Sequence, residues 1–224
     1  KFPAITFKST KVEDLGGVVD WLTARGVETF GLVGSSLGGT VAVVFAGGDP
    51  RVRALVTIAA VALPLGILER MSPAAVESWR RHGLRGESGE RICVGFLDDL
   101  GRVDVLGAAR RLRAATLVTH GAADQVVPVA DAHALYAALP EPKELVVTPA
   151  CDHRYSDDAH LAALIDGAVD WIAAHLPPGR RCSLSSASGI KPTSPVSIRH
   201  FSCAVRSRAR IEAYCSSSAR FFTS

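Results

Sequence analysis

"GLVGSSLGGT", residues 31–40, sets two serines between glycines at the point where one pattern of the chain gives way to another. Before it, "ETFGLVG" (28–34) is a short β-prone run; after it, "GTVAVVFAGG" (39–48) is long enough for a buried helix ending at Gly47-Gly48. Gly34-Ser35-Ser36-Leu37-Gly38 matches G-x-S-x-G with Ser36 in the middle, in the strand–turn–helix context where that pattern has a physical meaning. Side chains two residues either side of Ser36 would clash in so tight a turn, which assigns Gly34 and Gly38 their task. Ser36 is then held in a strained backbone with its hydroxyl exposed at the carboxyl end of the strand. Ser35, at the variable position, points elsewhere.

The rest of the chain repeats the alternation. Thr10-Lys11-Val12-Glu13 is a capping box, and Val12, Leu15, Val18, Val19 and Leu22 recur at helical spacing up to a stop at Gly26. "VRALVTIAA" (52–60) and "ATLVTHG" (115–121) read as strands buried on both faces, with a short helix over 105–113. "VADAHALYAAL" (129–139) is helical, "KELVVTPA" (143–150) is a fourth strand, and "DDAHLAALIDGAVDWIAAHL" (157–176) is an amphipathic helix closed by Pro177-Pro178. Residues 62–104 carry helical fragments and no strong strand. Four strands alternating with helices predict an α/β architecture with a parallel sheet.

A serine hydroxyl needs a base to become a nucleophile at neutral pH, and the base needs an orienting group. Asp124, in "HGAADQVVP", directly follows the third predicted strand, and His153, in "ACDHRY", directly follows the fourth. In a parallel sheet both loops emerge at the edge where Ser36 sits, and ligands bind outside that edge.

On "GLVGSSLGG", "LVTHGAADQVVP" and "CDHRY", residues 9–178 resemble the α/β-hydrolase superfamily, in its esterase, serine-aminopeptidase-like and dienelactone-hydrolase-like branch. The resemblance implies a partial α/β-hydrolase fold over residues 1–178, with a small helical cap at about 62–104 and the family's N-terminal strands missing. It implies Ser36 as nucleophile, His153 as base, Asp124 as the acid and the Leu37 backbone N–H as one oxyanion donor. The family's second donor comes from a loop upstream of the first helix, so it is expected to be absent from this chain. The activity implied is hydrolysis of a carboxylic ester or thioester of a small molecule through an acyl-enzyme, with no metal and no cofactor. Amide or peptide hydrolysis is an alternative, and a catalytically impaired fragment is another, since the sequence begins at Lys1 just ahead of the first helix.

Other residues weigh against simpler roles. The glycine turn lacks the lysine of a phosphate-binding loop, Thr40 following Gly38-Gly39, and lacks dinucleotide glycine spacing. Asp131 reads as a solvent-facing helix residue, and Asp152, Asp157 and Asp158 as helix-start charges. His120 reads as structural or pocket-lining, and His82, His133, His160 and His175 as helix residues. Cys93 and Cys151 lie outside the elbow, and Cys151 with His153 is too sparse for a metal site. Leu63, Leu65, Ile67, Leu68, Met71, Trp79, Phe96 and Leu97 are candidates for an acyl pocket or for packing the cap.

Charge divides the chain. Of 25 Lys/Arg and 22 Asp/Glu, residues 179–224 hold eight and one, which leaves the first 178 residues mildly acidic. With 12 serines in 46 residues, that tail has the composition of a disordered segment, and its basic charge makes binding to an anionic surface a further reading. The body is not expected to bind nucleic acid or membrane. Five cysteines without a CxxC pair suggest a reducing, cytoplasmic setting.

Overall fold

The computed structural model describes residues 11–85 and 92–176. The tail over 179–224 with Cys182, Cys203 and Cys215, and the Thr10 end of the capping box, lie outside these residues. In chain order the elements are α1 (Val12–Thr23), β1 (Phe30–Ser35), α2 (Leu37–Ala46), β2 (Val52–Ile58), α3 (Leu65–Glu69) and α4 (Pro73–His82). There follow β3 (Leu84–Arg85), β4 (Ile92–Cys93), α5 (Gly95–Arg102), α6 (Val105–Arg110), β5 (Ala115–Gly121), α7 (Val129–Ala138), β6 (Lys143–Thr148) and α8 (Asp158–His175).

Strands β1, β2, β5 and β6 form one sheet in the order β1-β2-β5-β6, every pair parallel. Strand alternation sorts the core. Ala54, Val56, Ile58 and Leu117 point to the face covered by Leu164, Ala168 and Ile172 of α8. Leu55 and Val118 point to the opposite face, where they join residues of α1, α2, α6 and α7. Both faces are therefore dry, which is why β2 and β5 read as continuous apolar runs rather than alternating ones. Each fully buried valine or leucine contributes on the order of 1.5–3 kcal/mol of transfer free energy. Trp171 of α8 adds a directional tie, its indole N–H donating to the Ala115 carbonyl at 3.1 Å.

Between β2 and β5, the segment expected to be loosely helical contains α3, α4 and α5 plus a two-residue antiparallel hairpin, β3–β4, that has no sequence signal. Helix α4 is punctuated at both ends: the Ser72 side chain accepts from the Ala75 N–H, and Gly83 closes it in the left-handed region at φ 70°. Trp79 stacks on Phe96, centroids 6.1 Å apart, and donates its indole N–H to the Ile92 carbonyl at 3.0 Å. Trp79, Phe96 and Leu97 are buried in the same core cluster as residues of β1 and α2, so they pack this segment onto the body. Ile67, Leu68 and Met71 pack partly against the same core, while Leu63 and Leu65 stay exposed. Helix α1 starts without a side-chain cap, Lys11 standing at its N-cap position. Among the described residues, no helix is long and apolar enough to cross a membrane.

Candidate active site

The carboxyl edge of the sheet is where the backbone is strained. Four non-glycine residues have positive φ among those described: Ser36 (51°), Ala59 (48°), Ala150 (54°) and Tyr155 (53°). They follow β1, β2 and β6, all at this one edge, and such clustering marks sites where geometry is imposed by function.

Ser36 stands between β1 and α2 with φ 51° and ψ −123°. Its N–H is tied to the Ile58 carbonyl at 2.7 Å, and its carbonyl accepts from Gly39 and Thr40 in the first turn of α2. The glycine requirement holds at Gly34, but after the serine it falls on Gly39 rather than Gly38. A Cβ on Gly34 would lie 2.5 Å from the Gly38 carbonyl oxygen, and a Cβ on Gly39 would lie 2.7 Å from the Cβ of Ala60. A Cβ on Gly38 meets nothing within 4 Å. Gly38 is thus not demanded by the turn; Gly39 is, because α2 leans on the chain leaving β2. Thr40 holds the same contact, its hydroxyl donating to the Val61 carbonyl at 2.8 Å. The Leu37 N–H opens α2, where first-turn N–H groups have no acceptor within the helix.

Asp124 and His153 come together. The His153 Nδ1 lies 2.7 Å from Asp124 Oδ2, and the carboxylate is fully buried. Asp124 Oδ1 accepts the N–H groups of Val126 and Val127, both at 2.8 Å. Burial acts to raise the Asp124 pKa, but the hydrogen bonds from His120, His153, Val127 and Val126 outweigh it and hold the carboxyl far below its usual range. The two loops are laced together by Ala122 N–H on the Thr148 carbonyl and Ala123 N–H on the Cys151 carbonyl, both at 2.9 Å.

The remaining acids have local tasks. Asp152 accepts from the N–H groups of Arg154 and Ser156, and those of Ser156 and its neighbours lower its pKa. Asp157 caps α8 through the N–H groups of Ala159 and His160. Asp158 is exposed in the first turn of that helix. Asp131 corrects the sequence reading. Far from facing solvent, it is 3% exposed, and its Oδ2 accepts the N–H groups of Ala62 and Leu63, each at 2.9 Å. Its position in the first turn of α7 is turned inward, where a carboxylate can hold the chain that leaves β2. No periodicity signal separates it from an exposed acid, because its partners are backbone groups far away in sequence.

Of the histidines, His82 and His175 bond to carbonyls one turn back in their own helices, His133 is exposed, and His160 sits near Asp157. Cys151 is buried, and burial, followed by the charges of Asp152, Asp124 and Asp157, pushes its thiol up to about 11. A thiol so placed is not a nucleophile at neutral pH. The side chain of Cys93 lies outside the described residues.

A strained serine at a strand-to-helix elbow and a carboxylate–histidine pair on the same edge of a parallel sheet define the α/β-hydrolase class of fold. The esterase domain of a Rhodothermus marinus protein is similar at 28% identity, covering 77% of this chain and 70% of that one with a TM-score of 0.56. The mouse alpha/beta hydrolase domain-containing protein 10 is similar at 22% identity, covering 76% and 70% with a TM-score of 0.62. A monoacylglycerol lipase from Paleococcus ferrophilus is similar at 19% identity, covering 75% and 77% with a TM-score of 0.55. No curated protein matches the chain in sequence. The model of the prolyl oligopeptidase family matches residues 6–178, and the chain belongs to that family of hydrolases.

Proposed function

We propose that the chain is a serine hydrolase that cleaves a carboxylic ester or thioester of a small molecule. The observation that carries this reading is the 2.7 Å contact of His153 with the buried Asp124, at the edge of the sheet where Ser36 is strained. With its Nδ1–H given to Asp124, the His153 imidazole keeps Nε2 free to accept the Ser36 proton. As the proton leaves, Ser36 Oγ attacks the carbonyl carbon, and the oxygen that gains charge is met by the Leu37 N–H. His153 returns the proton to the leaving group, and the acyl-enzyme is released by a water that His153 deprotonates in turn. Asp124, already ionised, stabilises the imidazolium in both half-reactions. The likeness to an esterase domain favours an ester substrate, and exposed Leu63, Leu65 at the start of α3, and Val126 in the loop after β5 offer apolar surface.

Turnover of p-nitrophenyl esters of short acids by the full chain tests this. Ser36→Ala and His153→Ala should each lower kcat at least about a thousand-fold, with unchanged melting. Equal turnover by the folded variants would remove the proposal. A second reading, cleavage of an amide or peptide, draws on membership of the prolyl oligopeptidase family. Aminoacyl p-nitroanilides hydrolysed faster than the matching esters would favour it.

A further inference from the structure

Asp124 has a second histidine. His120, the penultimate residue of β5 before the acid loop, has no exposed surface, and its Nε2 lies 3.2 Å from Asp124 Oδ2 and 2.9 Å from the Val127 carbonyl oxygen. With two acceptors in front of it, Nε2 carries a proton in either charge state of the ring. The Nε2–H donates to the Val127 carbonyl and lies close enough to Asp124 to be shared with it, so Oδ2 faces two imidazole nitrogens, His120 Nε2 at 3.2 Å on the inner side and His153 Nδ1 at 2.7 Å on the outer side. Oδ1 is filled by the N–H groups of Val126 and Val127. His120 Nδ1 is buried with no hydrogen-bond partner among the described residues. A fully buried imidazole with one ring nitrogen left unbonded is an uneconomical way to fill space, since an apolar residue would pack there without that cost.

We propose that His120 is a positioning residue that sets the basicity of His153 by sharing the Asp124 carboxylate oxygen with it. This rests on Asp124 and His153 acting as proposed above. A carboxylate oxygen that already accepts a hydrogen bond offers less negative charge to a second donor, so the His153 imidazolium is held less tightly than by an unshared carboxylate. His120 also closes the remaining freedom of the carboxylate, which is clamped on both oxygens.

The charged groups around the pair are few. His120 faces Asp124 and, from α7, Asp131. His153 faces Asp124 and is flanked in its own loop by Asp152 and Arg154. Asp131 is itself spent on the N–H groups of Ala62 and Leu63, so the partner shared by both rings is Asp124.

The test needs no substrate. The C2 proton of His153 is followed by NMR over pH in the full chain, assigned by its loss in His153→Asn, for the wild type and three variants. His120→Gln carries an amide N–H near the Nε2 position, while His120→Asn and His120→Phe do not. The His153 midpoint should rise by about half to one pH unit in His120→Asn and His120→Phe, the latter end being a tenfold gain in proton affinity. In His120→Gln it should stay near the wild-type value. Should the phenylalanine variant not fold, the Asn–Gln contrast reads the same quantity. An unmoved midpoint in His120→Asn, or an equal rise in His120→Gln, would overturn the proposal and leave His120 as packing. Loss of the Ser36 reading would appear separately, as wild-type protein that titrates in this way but hydrolyses no ester.

Discussion

The strained turn at Ser36 is possible because glycines stand beside it, but which of them matter is a question of contact. A Cβ on Gly39 would lie 2.7 Å from that of Ala60, while the space around Gly38 is open. Gly39→Ala should therefore lower stability by about 1–3 kcal/mol, as overpacking does. Gly38→Ala, on a helix with room for it, should be neutral or stabilising by up to about 1 kcal/mol. Urea unfolding of the two variants checks the contrast, and equal losses at both sites would contradict the packing described here. The sequence pattern marks Gly34 and Gly38 because they flank the serine symmetrically. The fold selects Gly34 and Gly39, since the chain leaving β2 presses on α2 from one side, and that contact is invisible in the spacing of "GSSLGG". The strand-end positions of Ser36, Asp124 and His153 are legible for a different reason: each follows a strand of a parallel sheet, and strand ends are readable from apolar runs.

At the scale of elements, the loop after β2 is where the elbow, the inter-strand segment and α7 meet. Thr40 of α2 bonds the Val61 carbonyl, and Asp131 of α7 bonds the N–H groups of Ala62 and Leu63. Breaking the second clasp leaves two N–H groups near a dry interface. Asp131→Ala should cost about 2–4 kcal/mol, and Asp131→Asn, which keeps one acceptor oxygen, should cost less. The measurement is the urea midpoint of each variant, and a loss below about 0.5 kcal/mol in Asp131→Ala would show that the clasp is not structural. The parallel strands and helices α1, α2, α6, α7 and α8 are legible from periodicity with small shifts at their ends, while α3, α4 and α5 show only as helical fragments. The β3–β4 hairpin is not legible, because two-residue strands carry no pattern. Asp131 was missed because helix α7 mixes alanines with polar residues on both faces, so its sequence does not say which side is inward.

For the molecule as a whole, the site gives stability a preferred pH window. Asp124 has a folded pKa far below its unfolded value near 3.8, so its contribution is complete above about pH 4 and is lost as pH falls toward the folded value. Asp49, lowered chiefly by its hydrogen bond with Arg51, and the loop acids Asp152 and Asp157 act in the same direction. His120 behaves oppositely. Burial works against its charged form, but the hydrogen bond with Asp124 and the Val127 carbonyl outweigh burial and raise its pKa above 6.5. Its contribution is complete below the unfolded value and fades as pH rises through the folded one. Urea midpoints should thus be highest between about pH 4 and 6.5, lower at pH 3 and at pH 8.5, with both slopes shallower in Asp124→Asn. A midpoint still rising from pH 6 to 8.5 would contradict the His120 assignment.

Ser36, His153 and Asp124 are proposed to assemble into a working nucleophile in this chain, and a fluorophosphonate probe reads that without any assumption about substrate. The full-length chain should be labelled, with mass spectrometry placing one adduct on Ser36. Labelling should vanish in Ser36→Ala and fall at least about a hundred-fold in rate in His153→Ala. Folded wild-type protein that takes up no probe, or labelling that persists unchanged in Ser36→Ala, would contradict it.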